Sequence, residues 1–304
     1  MGYECEFKNL DIDLELQLQN KWLANSIPIH SDILDIKEKM PLYHDDKYSN
    51  YWNIREILLT EPLNYFRLKE FLYMRYGGDE LAKKTLEDMN TLDPSQSYRI
   101  LNAGSGFGSD MIEQAKILPN AKFCGIEFNK RYADLSAKII QALGLEDRIK
   151  IYNANLAEPN HMKEIQNREG IFDAAYSNLV ILHIDNKSIV YHLIFEMLKK
   201  GGIFRNEDYI KQNKTDLKFA AEKIGCQNLK TLGEMIKIAE KAGFNKSHYI
   251  DLTENWKEFT LQRLSEYSKI NQKISKKKEV FFKDAADYFS EYFGCGGVFK
   301  HVKE

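Results

Sequence analysis

Residues 100–110 read ILNAGSGFGSD: an apolar run, then glycine at every second position, then the start of a helical pattern. Gly104, Gly106 and Gly108 allow the chain to turn tightly, and they let a ligand approach where a Cβ atom would collide with it. A strand, a glycine loop and a helix in this order form the unit with which an α/β sheet presents bare backbone to a nucleotide-like ligand. The stretch therefore predicts an α/β fold with a ligand site at residues 104–108.

Strands and helices alternate from this stretch onward. Apolar runs predict strands at residues 98–103, 121–127, 148–153, 171–177 and 202–208, and helical patterns predict helices at residues 108–117, 130–143, 160–167, 186–199 and 230–242. This alternation is typical of a mostly parallel sheet that carries helices on both faces.

The two ends of the chain depart from the alternation. Residues 50–93 read as helices, so we expect an N-terminal helical extension over residues 1–95. Residues 96–304 are then the ligand-binding domain. This domain carries an amphipathic helical insertion at residues 254–290, and its final strand lies at residues 297–302.

The composition argues against several classes of partner. The 304 residues carry a net charge of −2, so the chain has no general positive field for nucleic acid or an anionic membrane. Neither a secretory signal nor an apolar run long enough to span a membrane is present. The four cysteines show no CxxC spacing and the histidines no ligand spacing, which predicts no metal site and reduced thiols in a cytoplasmic protein. We expect a small-molecule partner, and neither nucleic acid nor a membrane.

The residues themselves reduce the number of possible ligands but do not identify one. A glycine loop can hold NAD, FAD or S-adenosylmethionine, but the spacing here is G-x-G-x-G and not the G-x-G-x-x-G of dinucleotide binders. Glu127 ends the second predicted strand, where a carboxylate can accept both hydroxyls of a ribose. NAD enzymes share such a carboxylate. Phe128 follows it and can lie against an adenine ring.

Several motifs in a fixed order resemble the class I S-adenosylmethionine-dependent methyltransferases. They are the glycine loop at residues 100–110, Glu127, YNANLAE at residues 152–158, FDAAYSNLVILHI at residues 172–184 and LKKGG at residues 198–202. The resemblance implies a Rossmann-like sheet of seven strands, mostly parallel with the last strand antiparallel. It also implies S-adenosylmethionine as the cofactor.

Within that family the chain is most similar to small-molecule N-methyltransferases of the phosphoethanolamine and sarcosine type. The likeness is carried by YGGDELAKKTLEDM at residues 76–89, SNLVILHIDNKSIV at residues 177–190 and TLGEMIKIAEKAGF at residues 231–244. It implies methyl transfer to a small acceptor, with an amine nitrogen favoured. Gly225 and Gln227 stand where phosphobase enzymes have an arginine and a tyrosine, and an anion pocket without its arginine loses bidentate pairing.

The resemblance also assigns roles to residues of the cofactor site. It implies backbone approach at the three glycines, a ribose contact and two adenine faces, an adenine edge, and a contact to the methionyl part of the cofactor. The glycines are Gly104, Gly106 and Gly108, and Glu127 would be the ribose contact. Phe128 and Leu156 would lie on the adenine faces, Asn155 at the adenine edge and Asn178 at the methionyl part.

For the acceptor site the resemblance implies one histidine and a tyrosine partner. His183 would assist deprotonation of the acceptor, and Tyr65 is the first candidate for its partner. Tyr51 is another candidate, and Tyr209 follows the fifth predicted strand and could line the acceptor site. Core packing is the alternative for each of them, because the chain has seventeen tyrosines and some will lie near these positions by coincidence.

Three other functions stay open at this point. One is an O- or C-methyltransferase of a secondary metabolite. The second is a nicotinamide-dependent oxidoreductase, which the glycine spacing and the long N-terminal helical region disfavour. The third is a non-catalytic protein with a decayed cofactor site, a reading that the amides Asn102 and Asn155 support because the family usually has aspartate there.

Overall fold

The computed structural model describes residues 72, 75–78, 80–269 and 273–304 of the chain. Seven strands in these ranges form one sheet: β1 Arg99–Ala103, β2 Lys122–Glu127, β3 Ile149–Asn153, β4 Phe172–Asn178, β5 Leu198–Ile210, β6 Lys246–Asp251 and β7 Cys295–Val302. Their spatial order is β3-β2-β1-β4-β5-β7-β6. The first five strands pair in parallel, whereas β7 runs antiparallel between β5 and β6. The predicted fold class is confirmed.

Helices connect the strands in the alternating pattern that the sequence predicts. They are α1 Glu80–Asp88, α2 Ser109–Ile117, α3 Lys130–Ala142, α4 Pro159–Glu169, α5 Lys187–Met197, α6 Leu217–Phe219, α7 Leu232–Ala242, α8 Thr253–Ser268 and α9 Lys273–Ser290. A 3₁₀ turn lies at Ile181–His183, and a π-helix at Ala220–Ile224 continues α6. None of the described helices is long and apolar enough to cross a membrane.

The two faces of the sheet are buried against different helices. Neighbouring residues of a strand point to opposite faces, so Leu101 joins one core cluster with Ile126 and Phe204, while Ile100 joins the other with Tyr176. Burial on both faces is the reason why the parallel strands read as continuous apolar runs.

The largest difference between a predicted boundary and the structure lies where α5 meets β5. The helix expected at residues 186–199 ends at Met197, and β5 begins at Leu198 rather than at residue 202. The strand begins early because Leu198 pairs with Phe172 of β4 and the Gly201 N–H donates to the Lys303 carbonyl. It extends to Ile210 because it pairs with β7 up to that residue. The pattern also does not predict the helical segment at residues 217–224.

The predicted insertion forms α8 and α9, which pack over a third core cluster. We call its five large buried rings the aromatic cluster: Tyr76, Tyr209, Trp256, Tyr288 and Phe289. Most of the predicted extension at residues 1–95 lies outside the described residues, and the division into two domains stays a prediction.

A buried histidine on β7 makes stability depend on pH. His301 is fully buried among aromatic rings, with Nδ1 2.8 Å from Ser247 Oγ, and burial lowers its pKa to about 3. Below about pH 6.5 His301 is therefore protonated in the unfolded chain but stays neutral in the folded chain. From pH 7 to pH 5 this residue should remove about 2 kcal/mol of stability.

Urea unfolding at both pH values checks this expectation. His301→Phe should lose less stability on acidification than the unmutated chain, since phenylalanine has no proton to gain. The comparison between the two chains is needed because burial raises the pKa of Glu127 and of Asp208 to about 7, which favours the folded state on acidification. Equal losses in both chains would contradict the role of His301.

Candidate active site

The glycine loop joins β1 to α2 and is shaped by left-handed backbone. Gly104, Gly106 and Gly108 have φ angles of 87°, 54° and 78°, which L side chains rarely adopt. A Cβ atom at Gly104 would lie 2.4 Å from Val180 Cγ2, and one at Gly108 would lie 2.5 Å from Ser136 Oγ. Packing against Val180 therefore excludes a Cβ atom at Gly104, and at Gly108 the Ser136 hydroxyl would have to move, in addition to any approach of a ligand.

Glu127 closes the loop from the neighbouring strand. Its carboxylate accepts one hydrogen bond from the Gly106 N–H and one from the Asn129 N–H, both at 2.8 Å. Because each oxygen accepts one of these bonds, each keeps capacity for one further donor. Glu127 is buried, and this burial raises the pKa of its carboxyl to about 7 against the opposing effect of the backbone hydrogen bonds. The site thus offers two acceptor oxygens beside bare backbone.

The segment after β3 lies beside the end of β2. Asn153 donates through Nδ2 to the carbonyls of Glu127 and Phe128, at 2.9 Å in each case. This holds the half-buried Phe128 next to the turn that carries Asn155 and the buried Leu156. The sequence reasoning missed Asn153, although it lies inside the quoted motif YNANLAE.

Asn155 is engaged in holding its own turn. Its Oδ1 accepts a hydrogen bond from the Ala157 N–H at 2.9 Å, and its backbone N–H donates to His161 Nδ1 at 3.1 Å. The structure therefore brings Gly104, Gly106, Gly108, Glu127, Phe128, Asn155 and Leu156 to one edge of the sheet, where β1, β2 and β3 end.

Asn178 lies at the same edge, in the middle of a buried polar chain. Its Nδ2 donates to Asp110 at 2.9 Å and its Oδ1 accepts from Arg205 at 2.8 Å. Asp110 forms an ion pair with Arg75 through both carboxylate oxygens, and Arg205 donates to Glu207 at 2.7 Å. The amide of Asn178 is thereby held at both ends, so its orientation is fixed before any ligand is bound. Of the side chains in this buried polar network, the sequence predicted only Asn178 as a site residue.

His183 lies at the end of the 3₁₀ turn that follows β4. Its Nδ1 is 3.2 Å from the carbonyl oxygen of Gly225, the residue that ends the π-helix, so Nδ1 carries the proton and Nε2 is the basic atom in the neutral ring. Burial lowers the pKa of His183 to about 4, and the nearby Lys187 adds to this while the bond to Gly225 opposes it. The imidazole is therefore neutral at pH 7.

The chain enters this turn through an unusual backbone conformation. Leu179 has a φ angle of 56°, and its N–H donates to the Glu207 carbonyl at 2.7 Å. Left-handed backbone in a non-glycine residue is uncommon and occurs preferentially at functional sites. Leu179 and Leu182 both pack in the cluster that contains the aromatic rings, so the turn that carries His183 is in contact with it.

The predicted acceptor-site tyrosines have different outcomes. Tyr209 is buried in the aromatic cluster, and its hydroxyl forms a hydrogen bond with that of Tyr76. Tyr76 is thus the tyrosine that the structure places beside Tyr209. Tyr51 and Tyr65 lie outside the described residues. In the part of the chain that the structure describes, no group of three or more His, Cys, Asp or Glu residues could hold a metal ion.

Comparison with known proteins agrees with this architecture. A family model described as a methyltransferase domain matches residues 94–280. Phosphoethanolamine N-methyltransferase 1 of Arabidopsis thaliana is 26% identical over 254 residues, which cover 82% of this chain and 47% of the relative. The chain thus spans about half the length of the curated relatives that it matches.

Solved structures show the same fold at lower identity. Phosphoethanolamine N-methyltransferase 2 of Haemonchus contortus, in complex with S-adenosyl-L-methionine, has a TM-score of 0.66 at 18% identity and covers 91% of this chain and 60% of its own. A putative sarcosine dimethylglycine methyltransferase from Galdieria sulphuraria has a TM-score of 0.57 at 16% identity, covering 74% and 85%. Together with the family model and the motifs, these findings show that the chain belongs to the class I S-adenosylmethionine-dependent methyltransferase family.

Proposed function

We propose that the chain binds S-adenosylmethionine and transfers its methyl group to the nitrogen of a small amine. The carrying observation is the hydrogen bond from the Gly106 N–H to Glu127 Oε2, which brings one carboxylate oxygen against bare glycine backbone while Oε1 accepts from the Asn129 N–H. Ribose hydroxyls fit the remaining acceptor capacity of these oxygens. Phe128, Leu156 and Asn155 supply two apolar surfaces and an amide for an adenine, and Asn178 an oriented amide for the methionyl part.

S-adenosylmethionine supplies a methyl carbon on a sulfonium that is already activated for in-line displacement. The residues of the chain therefore have to orient the acceptor nitrogen, exclude water and remove a proton. An amine attacks only when it is neutral, so its ammonium must lose a proton to a base or to desolvation. We assign the base to His183, whose Nε2 is the unprotonated atom of a neutral ring at pH 7. Because burial lowers the pKa of this imidazole to about 4, desolvation of the ammonium has to lower the pKa of the acceptor before His183 can take its proton.

The aromatic cluster supports nitrogen as the acceptor atom. Its rings and phenol oxygens attract a cation. An amine acceptor is a cation when it is protonated before the transfer, and its product is a cation when it is protonated or quaternary after the transfer. The hydroxyl of Tyr288 is buried and has no hydrogen-bond partner among the described residues. The relatives named phosphoethanolamine N-methyltransferase support the same atom.

Binding and turnover test the proposal separately. In calorimetry the unmutated chain should bind S-adenosylhomocysteine, and Glu127→Ala should lose about 3 kcal/mol, or about 100-fold in Kd. Glu164→Ala is the control, because this carboxylate lies on the surface of α4 in an exposed pair with Arg168. Absence of binding by the unmutated chain would overturn the proposal.

The acceptor is tested with a panel of ethanolamine, phosphoethanolamine, sarcosine and a phenol, with release of S-adenosylhomocysteine as the readout. Turnover of an amine, with His183→Asn slower at unchanged cofactor affinity, is the expected result. Methylation of the phenol alone would replace nitrogen by oxygen as the acceptor atom.

The raised pKa of Glu127 predicts how cofactor affinity depends on pH. Below about pH 7 the free site holds a protonated carboxyl, whereas ribose hydroxyls bind best to the carboxylate. Affinity for S-adenosylhomocysteine should therefore fall by up to about tenfold per pH unit on acidification, with release of one proton on binding. Calorimetry in two buffers of different ionisation enthalpy measures this proton. Glu127→Gln should bind more weakly without proton release, and the same proton release from this variant would contradict the assignment.

We also propose the cytosol as the location of the protein. The free thiols of Cys124, Cys226 and Cys295 support it, because all three are buried and reduced cysteines are usual in that compartment.

A further inference from the structure

Lys187 is buried where lysine is least expected. It is the first residue of α5, where a cation opposes the helix dipole, and only 2% of it is exposed. Lysine is almost never buried to this degree unless its charge is compensated. Its place in the fold therefore needs a specific explanation.

The ammonium group of Lys187 turns back onto the turn that carries His183. Its Nζ donates to the carbonyl oxygens of Ile181, Leu182 and Ile184, at 2.6, 3.1 and 2.9 Å. All three ammonium protons are thereby used, and the bonded carbonyls lie on both sides of His183 in the chain.

Asp208 on β5 holds the same turn through one of its N–H groups. Its Oδ1 accepts from the Leu182 N–H at 3.1 Å, and this carboxyl group is fully buried and close enough to Lys187 to interact with its charge. The His183 N–H donates to the Val180 carbonyl at 3.0 Å. The backbone around His183 is thus fixed by the Lys187 ammonium on three carbonyls and by the Asp208 carboxyl group on the Leu182 N–H.

We propose that Lys187 is a positioning residue for methyl transfer: its ammonium group fixes the turn at residues 181–184 and so holds the His183 imidazole against the Gly225 carbonyl. The proposal rests on the proposed function in one respect, the role of His183 as the base. The position of the imidazole itself is independent of that role.

Nitrogen NMR of the histidine ring tests the position without any turnover. The unmutated chain should show His183 as one neutral tautomer with the proton on Nδ1, assigned by the loss of its signals in His183→Asn. In Lys187→Met the same signals should move towards those of a ring that exchanges between tautomers. Lys163→Met, an exposed lysine on α4, is the matched control and should leave the signals unchanged.

Kinetics test the consequence. With the best amine of the panel, Lys187→Met should lose about 100-fold in kcat, because small displacements of a reacting group have effects of this size, while its Kd for S-adenosylhomocysteine stays unchanged. Lys187→Arg, which keeps a cationic donor, should recover part of the rate. If Lys187→Met does not fold, Lys187→Gln takes its place, since an amide donates two of the three hydrogen bonds.

The outcomes separate the two proposals. A folded variant with unchanged His183 signals and unchanged kcat would overturn the role of Lys187. Absence of methyl transfer by the unmutated chain would overturn the proposed function, and the NMR comparison would still decide whether Lys187 fixes the turn.

Discussion

Replacing Arg205 with methionine should lower the free energy of unfolding by about 3–5 kcal/mol. Arg205 is 1% exposed, and it donates to Glu207 at 2.7 Å, to Asp88 at 3.1 Å and to Asn178 at 2.8 Å. Methionine fills a similar volume but leaves the carboxylate of Glu207 buried without its cation. Asp88 loses less, because Lys300 lies 2.8 Å from its other oxygen.

Urea unfolding of Arg205→Met against Arg168→Met measures this effect. Arg168 pairs with Glu164 on the surface of α4, where both side chains are 44% exposed, so its removal should cost less than about 1 kcal/mol. The loss in Arg205→Met should shrink at low pH, since protonation removes the unpaired negative charge. Similar small losses in both variants would show that the buried contacts of Arg205 contribute no more to the free energy of unfolding than a surface ion pair does.

Alanine at Gly104 should destabilise the fold by about 2–5 kcal/mol and abolish cofactor binding. The left-handed backbone costs about 1–2 kcal/mol for an L side chain, and overlap with the Val180 methyl groups adds about 1–3 kcal/mol. The loop can relieve this overlap only by moving away from Val180. Such a movement displaces the backbone that the cofactor is proposed to meet.

Gly144→Ala separates the two contributions. Gly144 also has a positive φ angle, of 66°, but nothing lies within 4 Å of the place of its Cβ atom, so it should show only the backbone cost. The free energy of unfolding and the Kd for S-adenosylhomocysteine are measured for both variants. Equal destabilisation would mean that Val180 moves without cost, and intact cofactor binding in Gly104→Ala would show that the loop tolerates a Cβ atom.

Most of the fold could be predicted from the sequence because its signals are local. Apolar runs and helical periodicity are read within a few residues, and the glycine loop and Glu127 end adjacent strands, so their proximity follows from parallel pairing. Strand β5 was predicted too short because its first residues carry lysines and glycines rather than an apolar run.

The polar contacts of the site could not be predicted in the same way. The hydroxyls of Tyr76 and Tyr209 meet across 133 positions of sequence, and Arg205 meets Asp88 across 117. A charged residue in a sequence reads as solvated unless its partner is known. Lys187 shows the difficulty most clearly, since a lysine at a helix start is ordinarily exposed and here it is buried over three carbonyls.

The position of β7 between β5 and β6 has a consequence for synthesis on the ribosome. Synthesis proceeds from the N-terminus, so β5 and β6 leave the exit tunnel before β7, the strand that joins them in the described sheet. Until then the edge of β5 that later pairs with β7 has unpaired N–H and C=O groups, and such an edge is a template for pairing with another chain. A nascent chain stalled before residue 295 should therefore need a chaperone, and it should aggregate where the finished chain does not.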